Sequence, residues 1–411
     1  MAPTSSSLLG RQVVRRLPGR ASRSIQSLAA TAGSSGSQHV CRRQNRSALT
    51  VPSPASFKAT ESRVVDVSFK GICPRAKLCS SVSSGSCPRH MAKFSTAQME
   101  QKLPIPDPIV QPIIHDLYEE QTATWQYIVA DPTTLAAVII DSVLDYNALT
   151  RTISTQSADK ILSLIEEKGY KVDSILETHI HADHITAARY LQSSLYRKQG
   201  YLPLITVGKR IVHVQHLFRR KYGLSEDETE GVFNKFLDDD EMFRIGALEA
   251  QAIHLPGHTP DHMGFKIGGK LSTPPYNIFC GDSVFHADIG TARCDFPGGS
   301  AEDLYTSGRK LLDFPEDVRL WTGHDYPSGS RGVPVPFLSV GEHKAHNKHL
   351  MDGNTKDEFV ALRHDRDSKL AEPRLLHQSL QMNIRAGRLP RPSPLGDRML
   401  HTPLNVGVLD I

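Results

Sequence analysis

The sequence lacks any run approaching the ~18 consecutive apolar residues of a bilayer-spanning helix, so a soluble protein is the expectation. Cysteine is scarce, with 6 in 411 residues, and four of these (Cys41, Cys73, Cys79 and Cys87) precede residue 100. That number and spacing exclude a disulfide framework, and the intervals among Cys73, Cys79 and Cys87 include no close pairing of the kind that holds a metal cluster. Cys280 and Cys294 have no convincing activating base beside them and read as packed thiols. No segment repeats at a fixed period. What is present, 39% hydrophobic and 22% charged residues, excludes a collagen-like polymer or a wholly disordered chain.

Acidic residues are missing in one place. The first sixty positions hold no Asp or Glu, but combine Arg11, Arg15, Arg16, Arg20 and Arg23 with Leu8, Leu9, Val13, Val14, Leu17, Ile25 and Leu28. This basic amphipathic composition, without the continuous apolar core of a secretory signal, predicts a mitochondrial transit peptide and a mature protein in the matrix. Residues 1–99 carry 15 Lys or Arg against 2 acidic residues, net +13, and read as transit peptide followed by a disordered Ser-, Gly- and Pro-rich linker. Residues 100–411 carry 33 basic and 42 acidic residues, net −9, and read as the folded domain. An acidic body repels phosphates at long range, so neither nucleic acid nor membrane is an expected partner.

From Pro104 onward the pattern is that of a folded α/β chain. Val138–Ile140 reads as a buried strand ending at Asp141. A helix with Ile161, Leu164 and Ile165 on one face follows, stopped by Gly169, and Val172–Glu177 is the next strand. Further strands are predicted near Leu204–Val207, Leu248–Ile253, Met263–Ile267 and Asn277–Cys280. Ser300 with Asp303, and Thr355 with Glu358, cap two later helices, and Pro373 is expected to terminate the second. A two-sheet sandwich with outer helices accommodates this order.

The sharpest local signal is Thr178-His179-Ile180-His181-Ala182-Asp183-His184, directly after a predicted strand. In extended backbone His179 and His181 point the same way, and a turn after Ala182 brings Asp183 and His184 around the rim. Three further donors, His258, Asp282 and His324, each follow a strand-like stretch beside a glycine, where a side chain reaches the open end of a sheet. Imidazoles and carboxylates in this number suit a divalent transition metal. Spacing alone leaves a two-metal arrangement open, with His179, His181 and His258 on one ion, Asp183, His184 and His324 on the other, and Asp282 bridging.

These motifs resemble the metallo-β-lactamase superfamily, which implies a four-layer αββα sandwich. The block Gly290-Thr291-Ala292-Arg293-Cys294-Asp295-Phe296-Pro297-Gly298-Gly299, with Trp321–Tyr326, Phe243–Leu248 and Asn383–Pro390, resembles its persulfide dioxygenase branch over about residues 104–406. The resemblance implies one Fe(II) per chain held by His179, His258 and Asp282, with His181, Asp183, His184, Arg293, His324 and Tyr326 around it as catalytic groups. It implies oxidation of glutathione persulfide by O₂ and water to glutathione and sulfite, in sulfide catabolism. It also suggests a homodimer, and a family-like C-terminal extension from about residue 350.

Arg293 has two readings, a loop anchor paired with Asp295 or a contact to an anionic sulfur intermediate. Tyr326 is read as a phenolic donor or a pocket wall. Arg331, Lys344 and Lys348 have two readings, a solvated face or a basic rim facing the two carboxylates of glutathione. His213, His216, His343, His346 and His349 are assigned to surface or packing, and His254 and His262 to packing around His258. The enzymatic alternative is a hydrolase of glutathione thioesters with two Zn(II) per chain, resembling glyoxalase II and needing no O₂. A lesser alternative is a metal-stabilised interaction domain without activity.

Overall fold

Strand Thr124–Ala130 is buried along its whole length, and its side chains divide by parity: Tyr127 and Val129 enter one apolar cluster, Ile128 and Ala130 another. Ala136–Ile140 does the same, with Val138 and Ile140 on one face and Ala137 and Ile139 on the other. A sheet that is apolar on both faces must be covered on both, and layering follows. The computed structural model describes residues 110–404. The expected transit peptide, the linker and the four N-terminal cysteines lie outside the described residues.

One six-stranded sheet runs, in spatial order, Ile113–Glu119, Thr124–Ala130, Ala136–Ile140, Lys171–Leu176, Leu204–Gly208 and Lys235–Leu237. Its first three strands are antiparallel and the rest join in parallel. The other runs Met242–Ile245, Leu248–His254, Met263–Gly268, Asn277–Gly281, Arg319–Thr322 and Phe337–Ser339. Their inner faces meet through Trp125, Tyr127, Val138 and Leu176 against Leu248, Phe265, Phe279 and Trp321. A small third sheet pairs Val143–Asn147 with Thr152–Ser154 and Ile185–Thr186.

Helices α1 (Gln156–Lys168), α2 (Ala188–Gln199) and α3 (Ile211–Tyr222) cover the first sheet through Ile161, Leu191 and Phe218. Helices α4 (Ala301–Leu312), α5 (Val340–His346) and α6 (Lys356–Asp367) cover the second through Leu304, Val340 and Phe359. The last, α7 (Leu376–Asn383), returns to the first sheet with Leu380 and Met382. This is the expected αββα sandwich. Among the described residues no helix is long and apolar enough to cross a membrane.

The caps follow the sequence. Gly169 takes φ 69° and ends α1, the Ser300 side chain accepts from the Asp303 amide, and Thr355 and Glu358 form a reciprocal capping box. One boundary differs: α6 ends at Asp367, well before Pro373. There Lys369 N–H and Leu370 N–H bond carbonyls only three residues back, so the helix tightens into a turn before proline is reached.

Candidate metal centre

His179, His258, Asp282 and His324 all sit just beyond strand ends, on the same rim of the sandwich. Two glycines permit the crowding. A Cβ on Gly281, which has φ +48°, would lie 2.7 Å from His262 Nε2, and one on Gly323 would lie 2.5 Å from Asp282 Oδ1. A side chain at Gly323 would push directly on the Asp282 donor, and one at Gly281 on His262 and Thr178, which support the donors.

Hydrogen bonds fix the tautomers of two imidazoles. The Thr178 hydroxyl donates to Asp141 Oδ2 at 2.8 Å, so at 2.9 Å it accepts from His179 Nδ1–H. His258 Nδ1–H donates to the Arg293 carbonyl at 2.6 Å. In the neutral form of each ring this leaves the lone pair on Nε2, and the two Nε2 atoms lie 4.0 Å and 3.4 Å from Asp282 Oδ2. His179 Nε2 and Asp282 Oδ1 are buried without a hydrogen-bond partner. Burial, then the neighbouring His181, holds the His179 pKa well below that of a free imidazole, so the ring is a neutral donor. Unpartnered lone pairs that converge within 4.8 Å of one another are the arrangement a cation completes, and these residues fit a metal ion.

His181 sits differently. Its Nε2 lies 3.2 Å from Asp141 Oδ1 and 3.3 Å from Glu177 Oε2. Burial opposes its charge, but these two carboxylates raise its pKa well above the ordinary value. Its Nε2 is thus turned to these two carboxylates and not to Asp282. By donor geometry it groups with Asp183 and His184, and separately with Asp141 and Glu177, rather than with His179 and His258. The two-metal partition read from spacing is therefore not the grouping found.

His184 is buried with neither ring nitrogen partnered, and burial, followed by His181, lowers its pKa to about 3. Asp183 Oδ2 approaches His324 Nε2 at 3.2 Å; burial resists its ionisation, yet His324 and His184 bring its pKa to about 2. His324 Nδ1–H donates to the Ala123 carbonyl at 3.2 Å, and its Nε2 is 3.6 Å from Asp282 Oδ1. Asp282 thus faces His179 and His258 with one oxygen and His324 with the other. Tyr326 stacks on His324 with centroids 6.0 Å apart and keeps 51% of its surface exposed. It makes a wall of the cavity.

Arg293 forms a fork on Asp295, with both bonds at 2.5 Å, and a third bond to the Ala371 carbonyl. Its side chain anchors the loop, and its carbonyl orients His258. Of the proposed basic rim, Arg331 is held by Asp325 and Asp288, and neither it nor Lys344 or Lys348 lines the cavity beside the metal set. That cavity, about 340 Å³, carries Arg366 and Arg374 instead. His213, His216 and His346 are exposed, whereas His343 and His349 are buried. His349 Nδ1 accepts from the Thr291 amide at 3.0 Å and so supports the Arg293 loop. Cys280 and Cys294 are free and buried, and burial pushes both thiols up to about 12.

Sequence reasoning missed several supports. His262 Nε2 accepts from the Asp282 amide at 2.9 Å, and Asp261 accepts from the Ile180 amide at 3.1 Å. Asn383 on α7 donates to the carbonyls of His181 and His184, both at 2.8 Å, and accepts from the Thr186 amide. The Arg363–Asp367 pair of α6 bonds the Thr291 carbonyl and the Cys294 amide, on either side of Arg293. Asn383 and Arg363 each left a sequence signal, a polar residue at an inward position of a helix, but no spacing rule names their partners.

Residues 120–324 match the Metallo-beta-lactamase superfamily. "Glyoxylase B2" of Dictyostelium discoideum is 42% identical over 291 residues, 70% of this chain and 95% of that protein. "Persulfide dioxygenase ETHE1, mitochondrial" of Homo sapiens is 25% identical over 67% of this chain and 89% of its own length. The crystal structure of ETHE1 from Myxococcus xanthus superposes with a TM-score of 0.51 at 25% identity, covering 67% of this chain and all of that one. The resemblance to the persulfide dioxygenase branch thus has both a sequence relative and a solved neighbour. With this rim of donors on an αββα sandwich, the chain belongs to the metallo-β-lactamase superfamily of metal-dependent enzymes.

Proposed function

We propose that the protein is a mononuclear Fe(II) persulfide dioxygenase that converts glutathione persulfide, O₂ and water into glutathione, sulfite and two protons. One observation carries this reading: His179, His258 and Asp282 converge as a three-donor set while His181 is engaged by Asp141 and Glu177. Two imidazoles and one carboxylate suit ferrous iron, which supplies a redox-active centre with positions left open for sulfur and O₂. The chain's own residues do the rest. Thr178 and the Arg293 carbonyl hold the two ligand rings in register. The walls from Phe285 and Tyr326 limit water around the reacting sulfur, and Asp183 with His324 is placed to hold a released proton.

A second reading rests on specific observations. Asp282 presents one oxygen to each half of the donor set, and His181, Asp183 and His184 form an adjacent group. The relative at 42% identity is called a glyoxylase, whereas the dioxygenase relative stands at 25%, so identity supports the alternative of a metallo-hydrolase, for which we propose a glutathione thioester as substrate and two Zn(II). We place the dioxygenase in the mitochondrial matrix on the acid-free, arginine-rich first sixty residues, and a homodimer on the family resemblance.

Parallel aerobic and anaerobic assays with glutathione persulfide and with a glutathione thioester separate the readings. Sulfite formed in proportion to O₂ consumed is the expected result. Oxygen-independent thioester cleavage, with no sulfite from the persulfide, overturns it.

A further inference from the structure

Two cavities open beside the metal donors, and they share a wall made of Ala182, His258, Arg293 and Pro373. Beyond that wall their linings are different. The larger, about 340 Å³, carries Arg366 and Arg374, both exposed and neither ion-paired among the described residues. Its carboxylates, Asp183 and Asp282, belong to the metal rim, so away from the metal the free charge is cationic only. The smaller, about 200 Å³, carries Lys221 and Glu372, with Asp295 held by Arg293 of the shared wall, over an apolar floor that includes Phe218, Phe296 and Leu376. Lys221 has no carboxylate partner among the described residues and lies 6.0 Å from the Phe218 ring centre. Glu372 makes only a 3.9 Å contact to His377 and is 73% exposed at its side chain.

Resting on the reading that the substrate is a glutathione derivative, we propose that the two arms of glutathione are taken by separate cavities, with the sulfur at their shared wall beside His258. Glutathione carries its sulfur on the central residue and ends in chemically unlike arms. The glycyl arm ends in a carboxylate alone, which matches Arg366 and Arg374. The γ-glutamyl arm ends in an amino acid zwitterion, whose carboxylate and ammonium match Lys221 and Glu372. The cationic cavity offers the ammonium no counter-charge, so the assignment of arms has one direction. Arg366, Arg374 and Glu372 all lie after residue 350, which places most of the specificity in the C-terminal extension.

The test uses metal-loaded protein and S-methylglutathione, a thioether that neither oxidises at the site nor hydrolyses, titrated calorimetrically. The outcome is thus independent of whether the protein consumes O₂, and failure of the dioxygenase reading is seen separately in the oxygen assay. Arg366→Met/Arg374→Met weakens S-methylglutathione by about 10- to 100-fold, the usual effect of losing charge-assisted hydrogen bonds. It does not further weaken the analogue esterified at the glycyl carboxylate. Lys221→Met weakens S-methylglutathione about 10-fold and leaves S-methylcysteinylglycine, which lacks the γ-glutamyl arm, unchanged. All three side chains are exposed, so the fold tolerates these changes. Absence of S-methylglutathione binding, unchanged affinity in the variants, or equal losses for intact and truncated ligands each overturns the inference.

Discussion

The strand ends of the sandwich and the C-terminal extension meet at one site, but the side chains each brings there are used in opposite ways. His179, His184, Asp183 and Asp282 leave buried atoms without partners. Asn383, Asp367 and His349 use theirs to bind main-chain groups of the donor loops. Unmet lone pairs are costly in a protein interior and mark where an ion belongs, whereas saturated ones mark a brace. The first region supplies donors; the second holds them still and, in our proposal, reads the substrate.

Asp282→Ala attacks the donor side of this contrast and has the largest expected effect. Metal affinity and turnover fall by more than about 100-fold, beyond the range of outer supports, as measured by metal retention after dialysis. On the bracing side, Arg363→Met leaves Asp367 buried without its cation and costs about 3–5 kcal/mol in urea unfolding. If the extension were mere packing, metal affinity in this variant would be unchanged; we expect it to fall, because the Thr291–Cys294 loop orients His258.

Asn383→Ala frees the His181 and His184 carbonyls and lowers metal affinity by about 10- to 100-fold, read by competition with a chelator. The smallest effect is far from the site, in the sandwich itself. Asp131 accepts from Thr133, Thr134 and the Ala247 amide; burial resists its ionisation, but these bonds lower its pKa to about 2. Its folded pKa is below its unfolded one, so its contribution is present above about pH 4 and disappears as pH falls toward 2. Asp131→Asn loses about 1 kcal/mol at neutral pH and flattens that acid limb, measurable by chemical denaturation across pH.

Much of this was legible beforehand for a physical reason. Strand periodicity, caps such as Ser300 and Thr355, and glycine-flanked histidines are local signals, written within a few residues. The αββα layers and the convergence of His179, His258 and Asp282 follow from them and from family resemblance. The engagement of His181 by Asp141 and Glu177 was not legible, because Asp141 lies 40 residues away and only the parallel pairing of Ala136–Ile140 with Lys171–Leu176 brings them together. The basic rim was misplaced because neither the capture of Arg331 nor the course of the later chain is written in spacing. Arg331 is captured by Asp325 only six residues before it, while Arg366 and Arg374 come to line the cavity beside the metal donors by the return of α6 and the chain after it.

The most direct test is anaerobic Fe(II) titration of metal-free protein, with His181→Gln alongside the wild type. The account predicts one Fe(II) bound per chain, with the variant still binding one and losing no more than about 100-fold in affinity, as for an outer support. Two ions per chain, or abolition of binding in His181→Gln, contradicts a single ion held by His179, His258 and Asp282.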